Sequence, residues 1–473
     1  MCPVTGRKET VMAKSATKDL TVGSPMKLIL GFMLPLLLGM LFQQLYNMVD
    51  TAIVGQYLGI TALAGVGSTG SINFLVLGFV LGICAGFAIP VAQMFGSKDL
   101  GAMRKYVANT IWISVVFAVV ITAATCLLCT NILTLMDTPS DCFREAYDYI
   151  FVIFLGIPVT FLYNILSGII RSVGDSRTPV FFLILSSLLN VGLDLFMILV
   201  LNMGVSGAAW ATVISQLVSG ILCLIYMIKR FEILRLKKED LPPDKYYIGR
   251  LCAIGLPMGL QYSITAIGSI LIQTAVNGLG STYVAAVTAG SKVSQLLCCP
   301  FDAMGSTMAT YGGQNIGAGE VKRVKRGLFD CSMLGIGYAV IGFLIILFFG
   351  TSISQLFIND TDGGSIENIL ALSQQFLLIN GAFYIPLAFV NIVRFLIQGM
   401  GFSQVAIFAG VFEMTARGLV ALVIAPMFGY TAICFANPTA WIFADAFLIP
   451  IFFYCYKKMS ERFSAAKKEK ITA

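Results

Sequence analysis

The sequence predicts an all-α integral membrane protein, with twelve transmembrane helices in two six-helix bundles related by a pseudo-twofold along the membrane normal. Three observations carry this. Of 473 residues, 58% are hydrophobic and only 12% charged, against about 25% charged in soluble domains. The apolar residues gather in runs long enough to cross a bilayer. And the second half of the chain repeats short stretches of the first.

The composition comes first. Lipid requires each spanning backbone to satisfy its own hydrogen bonds, which favours helices. Glycine is abundant at 46 residues, as membrane helices permit. Histidine is absent, so the commonest metal ligand and neutral-pH proton carrier is missing. Any proton chemistry falls to carboxylates. The twelve cysteines are scattered through apolar runs and read as small buried hydrophobes. The "CLLC" run, Cys126 to Cys129, has metal-like spacing but no partner pair.

The runs fall at 27–57, 61–92, 105–131, 147–170, 178–201, 205–228, 249–276, 283–311, 327–350, 370–397, 404–425 and 430–456. The first is too long for a signal-peptide core and is read as a retained span. Residues 1–26 form a polar tail, 27–228 a first lobe, 229–248 a linker, 249–456 a second lobe and 457–473 a closing tail. Of 31 Lys and Arg, 27 fall on the side holding both tails, one (Arg144) on the other, and three within spans. By the positive-inside rule both termini and the linker are cytoplasmic. The opposite loops carry acid, as in "NDTDGGSIEN" at 359–368.

The repeat is visible in three places. "GFMLP" at 31–35 answers "AIGLP" at 253–257, "QMFGSKD" from Gln93 answers "QNIGAGE" from Gln314, and "IRSVGDSR" at 170–177 answers "IQGMGFSQ" at 397–404. An even number of spans per copy makes the copies parallel, a design of secondary transporters. Two similar bundles facing each other suit alternating access.

Charged and amide groups inside spans mark function. In the first half the acids are Asp50 and Asp194. Each lies about seven residues inside the outer end of its span, as does Thr212, which places all three roughly 10 Å deep. Asn190 lies one turn from Asp194, on the same helix face, and Asn164 is in the fourth span. Two carboxylates, amides and a hydroxyl at one depth form an oxygen-rich cluster. It suits a hard cation or a shared proton. In the second half are Lys292, Asp302, Arg394, Glu413, Arg417 and Asp445. Glu413 and Arg417, four apart in the favourable order, read as a structural pair. Gln43, Gln44, Tyr46, Gln261, Lys292 and Asn391 are the polar positions expected to line a substrate cavity. Gly31, Pro35 and Gly39 give the first helix freedom to bend.

At these residues the sequence resembles the multidrug and toxic-compound extrusion family, MATE. "QQLYNMVDTAIVGQYLG" at 43–59, "GIIRSVGDSRTP" at 168–179, "GVSGAAWATVISQ" at 204–216 and "GQNIGAG" at 313–319 carry the likeness, which covers nearly the whole chain. The resemblance implies a V-shaped exporter of organic, often cationic and hydrophobic, compounds, driven by exchange for H⁺ or Na⁺. Likeness to the DinF-like branch implies a coupling site at Asp50, Asn164, Asn190, Asp194 and Thr212. The acids that the NorM-like branch carries on helices 7 and 10 are not matched: Gln261, and Asn391 with Arg394, stand there. The alternative on the same fold is a flippase for lipid-linked precursors. That activity would call for a strongly basic cavity. No GxxxxGK[ST] loop supports direct ATP drive. The expectation is a non-enzymatic monomer in a prokaryotic inner membrane. It binds small organic substrates, with no nucleic acid, no cofactor and no metal beyond a coupling Na⁺.

Overall fold

The computed structural model describes residues 17–136, 138–358 and 366–472. Most of the first tail and part of the acidic loop at 359–368 lie outside the described residues. Ten helices are long and apolar enough to span a membrane, and two further bent pairs bring the count to twelve. They are α1 (Pro25–Gly59), α2 (Thr61–Gly96), α3 (Leu100–Leu127), α4 (Phe143–Leu155 with Ile157–Ser172), α5 (Arg177–Val200) and α6 (Val205–Arg230). The second six are α7 (Lys245–Asn277), α8 (Ser281–Gly317), α9 (Val321–Gln355), α10 (Ile366–Ala382 with Tyr384–Gly399), α11 (Ser403–Phe428) and α12 (Ala436–Ala465).

The duplication extends to irregularities. The two bent spans are α4 and α10, at 47° and 52°. Each carries a proline (Pro158, Pro386) just beyond its break, where a missing N–H costs least. α5 ends in a π turn, Phe196–Val200, and α11 carries one, Val420–Ile424, one short helical turn (Ala425–Phe428) before its end. Each is followed by a glycine in the left-handed region, Gly204 (φ 60°) and Gly429 (φ 61°), where a side chain would be strained.

The lobes do not divide at the linker as cleanly as the sequence suggests. Ile53 and Val54, in the far half of α1, pack in the first-lobe core. Ile29, Phe32, Met33 and Leu36, in its near half, pack in the second-lobe core. α7 does the reverse: Leu251 joins the first-lobe core and Val276 the second. The crossing on α1 falls between Met40 and Ile53 and that on α7 between Leu256 and Val276, past Pro35 and Pro257, the prolines of the first repeat pair. The backbone of α1 stays helical through Pro35; its torsions leave the helical region at Gly59 (φ 86°, ψ −177°). Gly39 admits α5 closely, since a Cβ there would come within 2.9 Å of Val180.

At the end of the molecule holding the termini, the lobes meet in a near-symmetric seam. Gln93 donates to the Gly399 carbonyl (2.9 Å) and Gln314 to the Ser172 carbonyl (2.8 Å). Gly96 rests on the Gln314 carbonyl and Gly317 on the Gln93 carbonyl, closer than any Cβ would allow. Residues 18–23 strap this seam. Lys18 donates its N–H to Val173 O (3.1 Å), and Leu20 donates its N–H to Gln314 Oε1 (2.9 Å). The linker is docked as well. Arg104 binds Asp240 at 2.9 Å, and Asn109 Oδ1 accepts from Asp244 N (2.8 Å). Burial alone would raise the Asp240 pKa. The Lys237 N–H and the Arg104 guanidinium outweigh it and hold the carboxyl below its ordinary range.

Candidate functional site

α1, α5 and α6 converge on one polar cluster. Asp50 and Asp194, on α1 and α5, have carboxyl groups within hydrogen-bonding reach of each other. Asn190, one turn before Asp194, donates to Thr212 Oγ1 (3.4 Å). Tyr46, one turn before Asp50, shares a hydrogen bond with the same hydroxyl (3.2 Å). Thr212 in turn donates to Ala208 O (3.1 Å). Asp194 is fully buried and Asn190 nearly so. The π turn starting at Phe196 follows directly; such turns widen a helix locally and recur at functional sites.

The hydrogen-bond account of this cluster does not close. Asp50 Oδ1, Asn190 Oδ1 and both oxygens of Asp194 are buried without a donor. An unpaired buried acceptor costs about 1–3 kcal/mol, more when charged. Four such acceptors where α1, α5 and α6 converge form a set that a proton or a hard cation would satisfy.

Four of the five expected coupling residues are thus brought together; Asn164 is not. It lies in α4, donating to Thr160 O (2.8 Å), and lines a neighbouring cavity of about 310 Å³. Gln43 lines this cavity too, whereas Gln44 does not. Tyr46, expected on a cavity wall, belongs instead to the carboxylate cluster. Its spacing of four from Asp50 already put both on one helix face. Tyr149 of α4 also borders the two carboxylates; in the polar start of its helix, beside Tyr147 and Asp148, it gave no signal of this role.

The expected second-lobe cavity residues are mostly engaged elsewhere. Gln261 is buried and accepts a hydrogen bond from Gln398 of α10. Asn391 is buried and donates to Leu387 O (3.3 Å). Lys292 is exposed. A larger concavity of about 720 Å³, along Gln374 and Leu378, lies apart from these groups.

Glu413 and Arg417 do pair, at 3.5 Å. Arg394, which the sequence left without a partner, takes the other Glu413 oxygen from α10. Arg417 also donates to Asn437 (3.2 Å). Asp302 and Asp445 lie in the electrostatic range of Arg394 on α8 and α12, but among the described residues Glu413 is the carboxylate that pairs with both guanidinium groups. Glu413→Gln strands two buried guanidiniums and is expected to lower stability by about 3–5 kcal/mol. Thermal unfolding of the purified protein in detergent checks this. An unchanged midpoint would show that the pair is not structural.

Arg171, which the sequence reads as a flanking charge, lines the 310 Å³ cavity and a second one of about 70 Å³ between the lobes. Tyr262 and Ser306 of the second lobe line both with it.

The comparisons with known proteins follow this geometry. The family model MatE matches residues 35–196 and 257–424, one segment in each half. The chain is 30% identical over 342 residues to the probable multidrug resistance protein YoeA of Bacillus subtilis, covering 70% of this chain and 73% of that one. It is 22% identical over 370 residues to an FAD transporter of Shewanella oneidensis, covering 77% and 80%. A solved multidrug resistance MATE family transporter, in an outward-facing conformation, superposes with TM-score 0.85 at 21% identity. That match covers 96% of this chain and 100% of that one. With its duplicated halves each matched in turn, the chain belongs to the MatE family of multi-pass membrane transport proteins.

Proposed function

We propose that this protein exports small organic compounds across the cell membrane in exchange for H⁺ or Na⁺. The exchange proceeds by alternating access, with Asp50, Asn190, Asp194 and Thr212 as the coupling site. The observation that carries this is the set of four buried, donorless oxygens where α1, α5 and α6 meet. Two adjacent carboxylates with no basic partner are costly to bury when both are charged. Loading a proton or a cation removes that cost. The loaded site therefore tolerates tight packing of α1 against α5 and α6, and the empty site resists it. The two states of the site thus favour two packings of the first lobe, and a gradient that sets occupancy sets the packing. The resemblance of the sequence to multidrug exporters, and the names of its relatives, support the cargo class. The lysine and arginine distribution supports cytoplasmic termini.

Flux in proteoliposomes tests the proposal, with pH and Na⁺ gradients imposed separately against a panel of dye cations and neutral dyes. Efflux driven by at least one of the gradients is expected. Flux unaffected by either, with dye binding intact, would remove the coupling role.

A further inference from the structure

We infer that the cavity between the lobes contains an anion receptor built on Arg171, so that the transported compound carries a carboxylate or phosphate group. The inference rests on the export reading above and adds the chemistry of its cargo.

The argument begins with Arg171 itself. A guanidinium within a membrane span is rare and is normally paired. The two arginines deep within the spans, Arg394 and Arg417, both hold Glu413. The Arg171 side chain has neither an ion pair nor a hydrogen bond among the described residues. The titratable groups around it are Tyr163, Cys223, Cys84 and Tyr262, none a carboxylate. The nearest acid along the chain, Asp175, is committed elsewhere. It accepts from the N–H groups of Arg177 (3.0 Å) and Thr178 (3.1 Å), and from the hydroxyls of Thr178 (2.7 Å) and Tyr226 (3.4 Å). Capping the start of α5 uses that carboxylate up.

The surroundings are a built cavity, not a lipid-facing surface. Arg171 lines both the 310 Å³ and the 70 Å³ spaces, and no carboxylate lines either. A second feature points the same way. Ser219 of α6 lines the larger space, is 1% exposed, and its hydroxyl has no partner. Tyr262 and Ser306 bring two more hydroxyls from the second lobe. A fixed cation flanked by unengaged hydroxyl donors is complementary to a multi-oxygen anion. The remaining wall, with Leu36, Met40, Leu77 and Leu81, suits an apolar or aromatic body. The receptor draws on both lobes, so it forms only while they are packed as here. Opening this end of the molecule would pull Tyr262 and Ser306 away from Arg171 and release the anion.

The test compares flavins that differ only in charge: riboflavin, its phosphate monoester FMN, and a carboxymethylflavin. Binding to the full-length protein in detergent is read by flavin fluorescence. FMN or the carboxylate is expected to bind at least about tenfold more tightly than riboflavin. Arg171→Gln should erase that preference while riboflavin affinity is kept, and Arg171→Lys should keep part of it. Ser219→Ala should weaken the anion alone by about threefold. Equal affinities across the three flavins in the wild type overturn the inference. So does an anion preference that survives Arg171→Gln. Should Arg171→Gln fail to fold, the wild-type comparison and Ser219→Ala decide. Dispersed phosphatidylglycerol forms a further arm. Displacement of FMN extends the receptor to a lipid phosphodiester, retention confines it to soluble anions, and both require the receptor. The two readings are separated by the readout: flavin binding, taken without any gradient, decides the receptor, and gradient-driven dye flux decides the coupling site.

Discussion

Asp194→Asn is expected to abolish gradient-driven efflux while leaving the protein folded and inserted. The substitution keeps shape and volume and removes one charge. Both Asp194 oxygens are buried without donors, so no existing hydrogen bond is lost. The new amide brings two donors into a cluster whose orphans are acceptors: Asp50 Oδ1 and Asn190 Oδ1. Burying an amide also costs less than burying a carboxylate. The unfolding midpoint should hold or rise. Transport should not survive, because the site then no longer switches between a strained and a relaxed state. A proteoliposome assay should show at least about a hundredfold loss of driven flux, beside unchanged substrate binding. Normal flux in this variant would exclude Asp194 from coupling. A parallel loss of stability and flux would make it a packing residue.

Gly317→Val should break the seam between the lobes. Any Cβ at Gly317 would fall on the Gln93 carbonyl group, and one at Gly96 on that of Gln314. Both obstacles are helix backbone, which cannot rotate aside as a side chain can. Overpacking of this kind costs about 1–3 kcal/mol or more. The cost applies only to the state in which this end is closed. Each 1.4 kcal/mol moves the balance between closed and open about tenfold. Ser306→Cys in a cysteine-depleted background gives the readout, since Ser306 lies against the inter-lobe cavities. It should be protected from thiol reagents supplied on the side of the termini, and become reactive once Gly317→Val is added. Continued protection with an unshifted unfolding midpoint would show that the seam tolerates the bulk. The mirror variant Gly96→Val should behave alike, because the two contacts are related by the repeat.

Hydropathy placed the spans well because a bilayer imposes one length on every crossing element. The six-span repeat was also readable, as was the convergence of four polar residues, Asp50, Asn190, Asp194 and Thr212, since counting along a helix gives depth and spacing gives the face. Neighbours across helices were not readable. Glu413 and Arg417 were visible as a pair at i, i+4, but Arg394 reaches the same carboxylate from another helix. Tyr46 was assigned to a cavity wall because its partner Thr212 lies 166 residues away. Asn164 has the right chemistry but a poorer match in depth; α4 bends by 47° between its two pieces, and Asn164 lies on the cavity wall. Arg171 sits at a span end, where charge counting sees only a flank. Which way a side chain turns there is decided by the helices packed around it.

The sharing of α1 and α7 between the lobes has a consequence for biogenesis. The near half of α1 leaves the ribosome before the rest of the two lobes. Its packing partners in α8 and α9 follow more than two hundred residues later, and Leu20 waits across 294 residues for Gln314. Until then Ile29, Phe32, Met33 and Leu36 lack their second-lobe partners, and the first lobe cannot lock its final shape. The slot that α7 fills in the first lobe stays open for the same interval. Neither half is a finished folding unit when its own six spans are inserted. Completion is a late, long-range event that closes both at once, which is slow by its nature. A nascent chain arrested after the linker should therefore be a target for membrane quality control, and the full-length chain should not.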